Sequence, residues 1–110
     1  MTFEMNLHDE PFKAIKSGSK TIEMRLNDER RKDLKIGDEI IFINRTTLEK
    51  LKAKVINLYY FDNFSELYKT FDKKDIGYRE DEIANPSDMD LYYTKEQQEK
   101  YGVVAIKIKI

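Results

Sequence analysis

The sequence predicts an α+β fold in which a small, mixed, five-stranded barrel-like sheet carries packed helices and a helical insertion before its last strand. Segments with the two-residue alternation of β-strands recur along the chain. They do not alternate regularly with helices, as the strands of a doubly wound parallel sheet would. About 40 residues, from Asn63 to Gly102, break this pattern with helical spacing. A chain of 110 residues suits a single domain, and we expect one spanning residues 1–110.

The first three elements are predicted from the spacing of apolar residues and from the positions of proline and glycine. Phe3 to Leu7 has extended character, and "HDEPFKAIKSG" forms a short helix with Pro11 just inside its start and Gly18 just past its end. The following strand is predicted to be half-buried, because apolar and polar residues alternate in it: Ile22, Met24 and Leu26 against Thr21, Glu23 and Arg25.

The middle of the chain predicts a helical turn and two strands. "NDERRKDL" suits a turn of helix capped by Asn27 or Asp28, and Gly37 supplies a turn before a strand from Glu39 to Asn44. That strand is apolar on both faces, so we expect it to be central or covered. After a polar turn at residues 46–50, "LKAKVINLYYF" forms a long strand.

The insertion begins and ends with capped helices. "NFSELYKTF" is an amphipathic helix with an Asn63 to Glu66 capping pair, and "TKEQQEKYG" is a short helix with a Thr94 to Gln97 capping pair and a terminal Gly102. The segment between them, residues 72–90, is charged and has no regular apolar spacing. The chain ends in an alternating strand whose inward residues are predicted to be Val104, Ile106, Ile108 and Ile110.

Composition excludes several classes of function. With 20 basic and 21 acidic residues, the net charge of −1 gives no global attraction to nucleic acid or anionic lipid, so such binding needs a local patch. The absence of cysteine excludes disulfides and thiolate catalysis, and the single histidine, His8, leaves few metal ligands. We expect no metal and no cofactor. The N-terminus lacks a secretory pattern, and we expect a cytoplasmic protein with no membrane partner.

The stretch "SGSKTIEMR" gathers Gly18, Lys20, Glu23 and Arg25 where the first helix meets the second strand. One interpretation is an exposed strand face, where a Glu–Arg pair contributes less than about 1 kcal/mol. The other is a ligand site. A glycine allows close backbone approach, lysine supplies a mobile cation, arginine offers a planar fork and glutamate accepts from an exocyclic amine. Those groups suit a nucleotide, and spacing alone leaves both interpretations open.

Further candidates lie elsewhere in the chain. "RLNDERRKD" is the densest basic cluster, but its interleaved acids cancel most of the field, which favours a solvated helical face. Arg45 is a candidate third cation of a binding cleft. Among the seven tyrosines, Tyr78, Tyr92 and Tyr93 lie in the irregular part of the insertion and are the candidates for stacking on bases.

The run "PFKAIKSGSKTIEMRLND", followed by "LKIGDEIIFIN" and closed by "YGVVAIKIKI", resembles the ASCH (activating signal cointegrator homology) domains of the PUA-like superfamily. Their glycine, lysine, glutamate, arginine signature is matched in order by Gly18, Lys20, Glu23 and Arg25. The resemblance implies a PUA-like pseudo-barrel that binds RNA or modified nucleotides in a cleft lined by this motif. The expected ligand-binding residues are Gly18, Lys20, Thr21, Glu23, Arg25, Arg45, Tyr78, Tyr92 and Tyr93.

The resemblance also implies an enzymatic alternative. A bacterial branch similar to this chain hydrolyses the amide of acetylcytidine with a catalytic lysine, which Lys20 matches. The position three residues later, a threonine in that branch, is Glu23 here, and Thr21 lies beside the lysine instead. If the chain is such an amidohydrolase, Lys20 and Glu23 are its catalytic residues. A second alternative is a protein-interaction or regulatory domain, in which the motif is only a surface feature.

Overall fold

A computed structural model describes residues 1–110. Five strands, three α-helices and one 3₁₀ helix follow in the order β1 (Thr2–Leu7), α1 (Asp9–Ser17), β2 (Ile22–Leu26), β3 (Glu39–Asn44), β4 (Lys50–Phe61), α2 (Phe64–Thr70), the 3₁₀ helix (Pro86–Leu91), α3 (Lys95–Tyr101) and β5 (Val103–Lys109). No helix is long and apolar enough to cross a membrane.

The strands form one mixed sheet that curls into a half-barrel. Their order is β1-β3-β4-β5-β2, so β1 and β2 are the two edge strands. β1 pairs with β3 in parallel, and the other three pairings are antiparallel. The α+β fold with five mixed strands and an insertion before the last strand is therefore confirmed.

Two apolar cores lie on opposite faces of the sheet. The first comprises 12 buried residues from α1, the turn after β2 and the strands, with Phe12, Ile40, Phe42 and Ile106 among them. The second comprises nine buried residues, where α2 and the rest of the insertion cover one face of β2 and β5. Leu67 of α2 is fully buried there. The insertion therefore supplies the second layer that β2 and β5 need on that face.

The last strand departs from the predicted alternation. Val104, Ile106 and Ile108 belong to the first core, as expected, but Val103 and Ala105 are buried in the second core on the opposite face. The prediction that Ile110 points inward is wrong, because β5 ends at Lys109 and Ile110 is 54% exposed. β5 is thus buried on both faces because the insertion packs against its outer side.

The residues predicted to cap or end the helices do so in the structure. Gly18 ends α1 in the left-handed conformation (φ 88°), and its N–H donates to the carbonyl of Ile15. The Asn63 side chain accepts from the N–H of Glu66, and Thr94 and Gln97 form a reciprocal capping box. The stretch after β2 is a series of turns, not a regular helix.

Candidate functional site

Lys20, Glu23 and Arg25 form a connected charged cluster. Lys20 Nζ donates to Glu23 Oε1 at 2.9 Å, while Arg25 donates to Glu23 Oε2 from Nε at 3.1 Å and from Nη2 at 2.9 Å. The backbone N–H of Met24 donates to Glu23 Oε1 at 3.2 Å. One carboxylate therefore holds both cations, and both of its oxygens are paired.

The cluster is buried, which the alternating sequence did not indicate. Only 7% of Lys20 and 4% of Glu23 is exposed, and the Arg25 side chain retains 17%. The register explains this: Glu23 pairs with Ile106, and Arg25 pairs with Val104. Cross-strand partners share a face, so Glu23 and Arg25 lie on the face of the first core. Of the two interpretations of this stretch, the exposed strand face is therefore wrong.

Burial and ion pairing shift the pKa of Glu23 in opposite directions. Burial favours the neutral acid, but the charges and hydrogen bonds of Lys20 and Arg25 outweigh it and lower the pKa of Glu23 to about 2. Burial likewise opposes the charge on Arg25, yet Glu23 and the nearby Tyr93 raise the pKa of the Arg25 guanidinium. Glu23 is thus an ionised acceptor at neutral pH.

The start of the insertion covers the cluster. The Asp75 carbonyl accepts the N–H groups of Thr21 and Ile22, both at 3.0 Å, and the Thr21 hydroxyl donates to Asp75 Oδ1 at 3.3 Å. Gly77, at φ 109°, packs against Lys20 so closely that a Cβ there would lie 3.1 Å from Lys20 Cδ. Sequence reasoning missed Asp75 and Gly77, since a contact such as Thr21–Asp75, 54 residues apart in the chain, leaves no local signal.

Arg25 also joins the two edge strands. Its Nη2 donates to the carbonyl of Asn6 on β1 at 2.9 Å, while Arg25 itself lies on β2. Glu23 and Asn6 use Nε and Nη2 only, and Tyr93 lies near enough to interact with the same guanidinium. The Arg25 side chain is therefore fixed from two directions, with Nη1 left free of both partners.

A cavity of about 380 Å³ lies beside Arg25. We call it the arginine cavity; it is lined by Phe3, Glu4, Met5, Asn6, Arg25, Arg30 and Arg31. Arg31 is half-buried, so the expectation that this basic cluster forms a solvated face does not hold for it. Three guanidinium groups thus converge on one cavity of a chain whose net charge is only −1.

The predicted tyrosines occupy three different environments. Tyr93 stacks on Phe64 at a centroid distance of 6.1 Å; burial raises its pKa and the nearby charge of Arg25 opposes that shift. Tyr92 is 59% exposed, with its ring 6.1 Å from that of His8. The Tyr78 hydroxyl donates to Asp88 at 2.8 Å and lies 2.9 Å from that of Tyr68, and burial raises its pKa. Of these three tyrosines, Tyr93 lies near the charged cluster, beside Arg25.

The remaining candidates lie apart from the arginine cavity. Arg45 follows β3 with an exposed side chain, and a Cβ on Gly18 would meet no atom within 4 Å. A larger cavity of about 920 Å³ lies between the end of β4, α2 and α3, and no predicted site residue lines it. No group of three or more histidine or acidic side chains is placed to hold a metal ion.

Comparison with known proteins agrees with this architecture. The crystal structure of hypothetical protein PH0355 is 34% identical in sequence, with a TM-score of 0.84, over 99% of this chain and 98% of that one. The solution NMR structure of protein PF0455 from Pyrococcus furiosus is 31% identical, with a TM-score of 0.74, over 99% and 96% of the two chains. No curated protein matches. The family model for the ASCH domain matches residues 5–110, and the chain belongs to the ASCH domain family.

Proposed function

We propose that this chain binds RNA or a nucleotide through the surface around Arg25. Membership of the ASCH domain family supports this function, since these domains are generally proposed to bind RNA. The observation that supports it most directly is how the Arg25 guanidinium is hydrogen-bonded. It is held through Nε and Nη2 by Glu23 and the Asn6 carbonyl, and neither of these partners occupies its Nη1. A guanidinium fixed in advance loses little side-chain entropy when it binds a phosphate or a base edge.

Lys20 and Glu23 have a different role in this proposal. Both are almost fully buried, so a ligand at the surface reaches Arg25 before it reaches either of them. We therefore assign Lys20 and Glu23 to positioning Arg25. A carboxylate that faced Arg25 alone would neutralise it, whereas Lys20 leaves the cluster with one net positive charge.

Tyr92 is the tyrosine best placed to stack on a base. It is exposed, it lies against the His8 ring, and it directly precedes Tyr93, which lies near Arg25. Stacking of a base on an aromatic side chain contributes about 1–3 kcal/mol and tolerates any base. We propose that Tyr92 contributes affinity without sequence preference.

Equilibrium binding to fluorescent oligoribonucleotides tests the function. With protein stripped of nucleic acid, Arg25→Ala is expected to weaken binding at least about tenfold, because it removes a charged hydrogen-bond donor. It should also reduce the slope of log K against log salt by about 0.7, the value for one phosphate contact on a single strand.

Two further variants control that experiment. Arg79→Ala removes an exposed arginine that pairs with Asp81 and Glu82 in the insertion, and it should leave affinity and slope unchanged. Arg25→Lys keeps the charge but loses the planar fork, and it should bind with intermediate affinity. Absence of RNA binding by the unmodified chain at low salt, or equal losses in Arg25→Ala and Arg79→Ala, contradicts the proposal.

One observation favours hydrolysis of a modified nucleoside as a second candidate. Lys20 is buried beside a carboxylate, with Nζ 2.9 Å from Glu23 Oε1, as an amidohydrolase with a catalytic lysine requires. A lysine must lose a proton before it can attack, and the pKa of about 2 makes Glu23 a weak base for that proton. Binding is therefore our first proposal.

Mass spectrometry of acetylcytidine incubated with the protein separates the two candidates. Conversion to cytidine that disappears in Lys20→Ala establishes the hydrolase. Absence of conversion contradicts the hydrolase and leaves the binding function as proposed, whereas turnover that persists unchanged in Lys20→Ala contradicts the catalytic role of Lys20.

A further inference from the structure

We propose that the arginine cavity binds a phosphate group, seated on Arg25, Arg30 and Arg31; this inference rests on the proposed binding of RNA or a nucleotide and assigns its phosphate site. Arg30 and Arg31 lie outside the glycine, lysine, glutamate, arginine motif. The proposal therefore adds two residues to the binding surface and a chemical class to what they bind.

The lining charges favour an anion. Three of the seven residues that line the cavity are arginines, and the one acidic residue among them is Glu4. Neither the Arg30 nor the Arg31 side chain makes an ion pair or a hydrogen bond, although Asp28 lies in the same turn. Two arginines without carboxylate partners thus line the same cavity as Arg25.

The Arg31 side chain has a buried donor, Nε–H, that makes no hydrogen bond. Its Nε is out of contact with solvent and has no acceptor. A buried donor without an acceptor costs about 1–3 kcal/mol, and more when the group is charged. Arg25 and Arg31 line the same cavity, so their like charges repel each other. Burial and this repulsion both lower the pKa of Arg31. A phosphate bound beside the two arginines would offset the repulsion and offer acceptor oxygens.

The backbone holds the two arginines firmly in place. In the turn after β2, the Asp28 carbonyl accepts the N–H of Arg31 at 2.9 Å, and Asp28 Oδ1 accepts that of Arg30 at 3.1 Å. Leu34, buried in the first core, anchors the other end of the turn by donating its N–H to the Arg31 carbonyl at 3.0 Å. The cavity of about 380 Å³ falls within the range of small-molecule sites, about 300–1,000 Å³, so it has room for a phosphate with its sugar.

Inorganic phosphate is the first probe. It is titrated into the ¹⁵N-labelled protein at constant ionic strength, with chloride as the exchanged anion, while the arginine Nε–H resonances are followed. We expect a saturable shift of the Arg31 resonance and none for Arg79, which lies in the insertion with its own acidic partners. An unchanged Arg31 resonance, or the same unsaturable drift at Arg31 and Arg79, overturns the phosphate site.

Oligoribonucleotides with a 5′-phosphate or a 5′-hydroxyl identify the source of the phosphate. Tighter binding of the 5′-phosphorylated strand by about tenfold, lost in Arg31→Ala, supports a terminal phosphate in the cavity. Equal binding of both strands, with a salt slope reduced by about 0.7 in Arg31→Ala, supports an internal phosphodiester. Arg31→Lys keeps the charge and the fold if Arg31→Ala unfolds, and we expect it to bind less tightly than the unmodified chain.

The two proposals fail in different ways. RNA binding that is weakened by Arg25→Ala but unaffected by Arg30→Ala and Arg31→Ala overturns the phosphate site and leaves the proposed function intact. A saturable phosphate shift at Arg31 in a protein that binds neither RNA nor a nucleotide supports the phosphate site and overturns the proposed function.

Discussion

Glu23 is the residue on which the charged cluster depends. It is almost fully buried, and its two carboxylate oxygens accept hydrogen bonds from Lys20 and Arg25. Removing one member of a buried ion pair leaves the other charge uncompensated, which typically destabilises a protein by about 3–5 kcal/mol. Here, loss of the carboxylate charge would leave two buried cations.

We therefore predict that Glu23→Gln lowers the free energy of unfolding at pH 7 by about 3–5 kcal/mol, measured by urea denaturation. Glu29→Gln is the matched control, because Glu29 pairs with Lys32 in an exposed ion pair. It should change stability by less than about 0.5 kcal/mol. Equal losses in the two variants would show that the buried cluster contributes no more than a surface pair.

The same residue predicts how stability depends on pH. The folded pKa of Glu23 is about 2, below its ordinary value of 4.5, so the unfolded chain binds the proton more readily. The stabilisation is present above the unfolded pKa and is lost as pH falls through the folded pKa. We expect the free energy of unfolding to fall between about pH 5 and pH 2, and this fall should be shallower in Glu23→Gln. Parallel pH profiles would contradict the low pKa.

Sequence reasoning identified the members of the cluster but not their environment. Lys20, Glu23 and Arg25 were predicted to lie together, and the structure places them in contact. Alternation cannot distinguish a solvent face from a polar patch inside a curled sheet, because both give the same two-residue period. The distinction depends on the pairing of β2 with β5, some 80 residues away in the chain.

The insertion packs closely against Lys20, just before β2, at Gly77. A Cβ at Gly77 would lie 3.1 Å from Lys20 Cδ, and Lys20 has little freedom to move because Glu23 holds its Nζ. Gly37 has a similar positive φ, 96° against 109°, but a Cβ there would meet no atom within 4 Å. Comparing substitutions at the two glycines therefore separates the cost of backbone strain from the cost of side-chain crowding.

We predict that Gly77→Ala destabilises the protein by about 1–3 kcal/mol more than Gly37→Ala, since overpacking adds to the cost of the backbone conformation. Urea denaturation of the two variants gives the difference directly. Equal losses would mean that the Lys20 side chain moves aside without cost, and that the insertion does not constrain the charged cluster.

Elements with local signals were predicted most accurately. β3 has the predicted bounds, Glu39–Asn44, because a glycine turn and an apolar run define them. The two-sided burial of β5 was missed, since it depends on the insertion that packs against the strand. The arrangement of Arg30 and Arg31 was also missed, because their turn is positioned by tertiary contact through Leu34 and not by helical periodicity.

At the scale of the whole molecule, the half-barrel has two edge strands, β1 and β2, and Arg25 forms a hydrogen bond between them. Edge strands expose backbone groups that are available to bind a partner. The charged cluster and the arginine cavity meet at Arg25, and the insertion contacts the cluster through Asp75 and Gly77. The fold thus brings motif and non-motif arginines together on one surface.

RNA binding around Arg25 is tested most directly by titrating the ¹⁵N-labelled protein with a single-stranded oligoribonucleotide and following its backbone amides. We expect saturable shifts centred on Asn6, Arg25 and Arg31, with Tyr92 at their margin. Absence of shifts at low salt would contradict RNA binding. Shifts centred on the larger cavity between β4, α2 and α3 would contradict the assignment of the binding surface to Arg25.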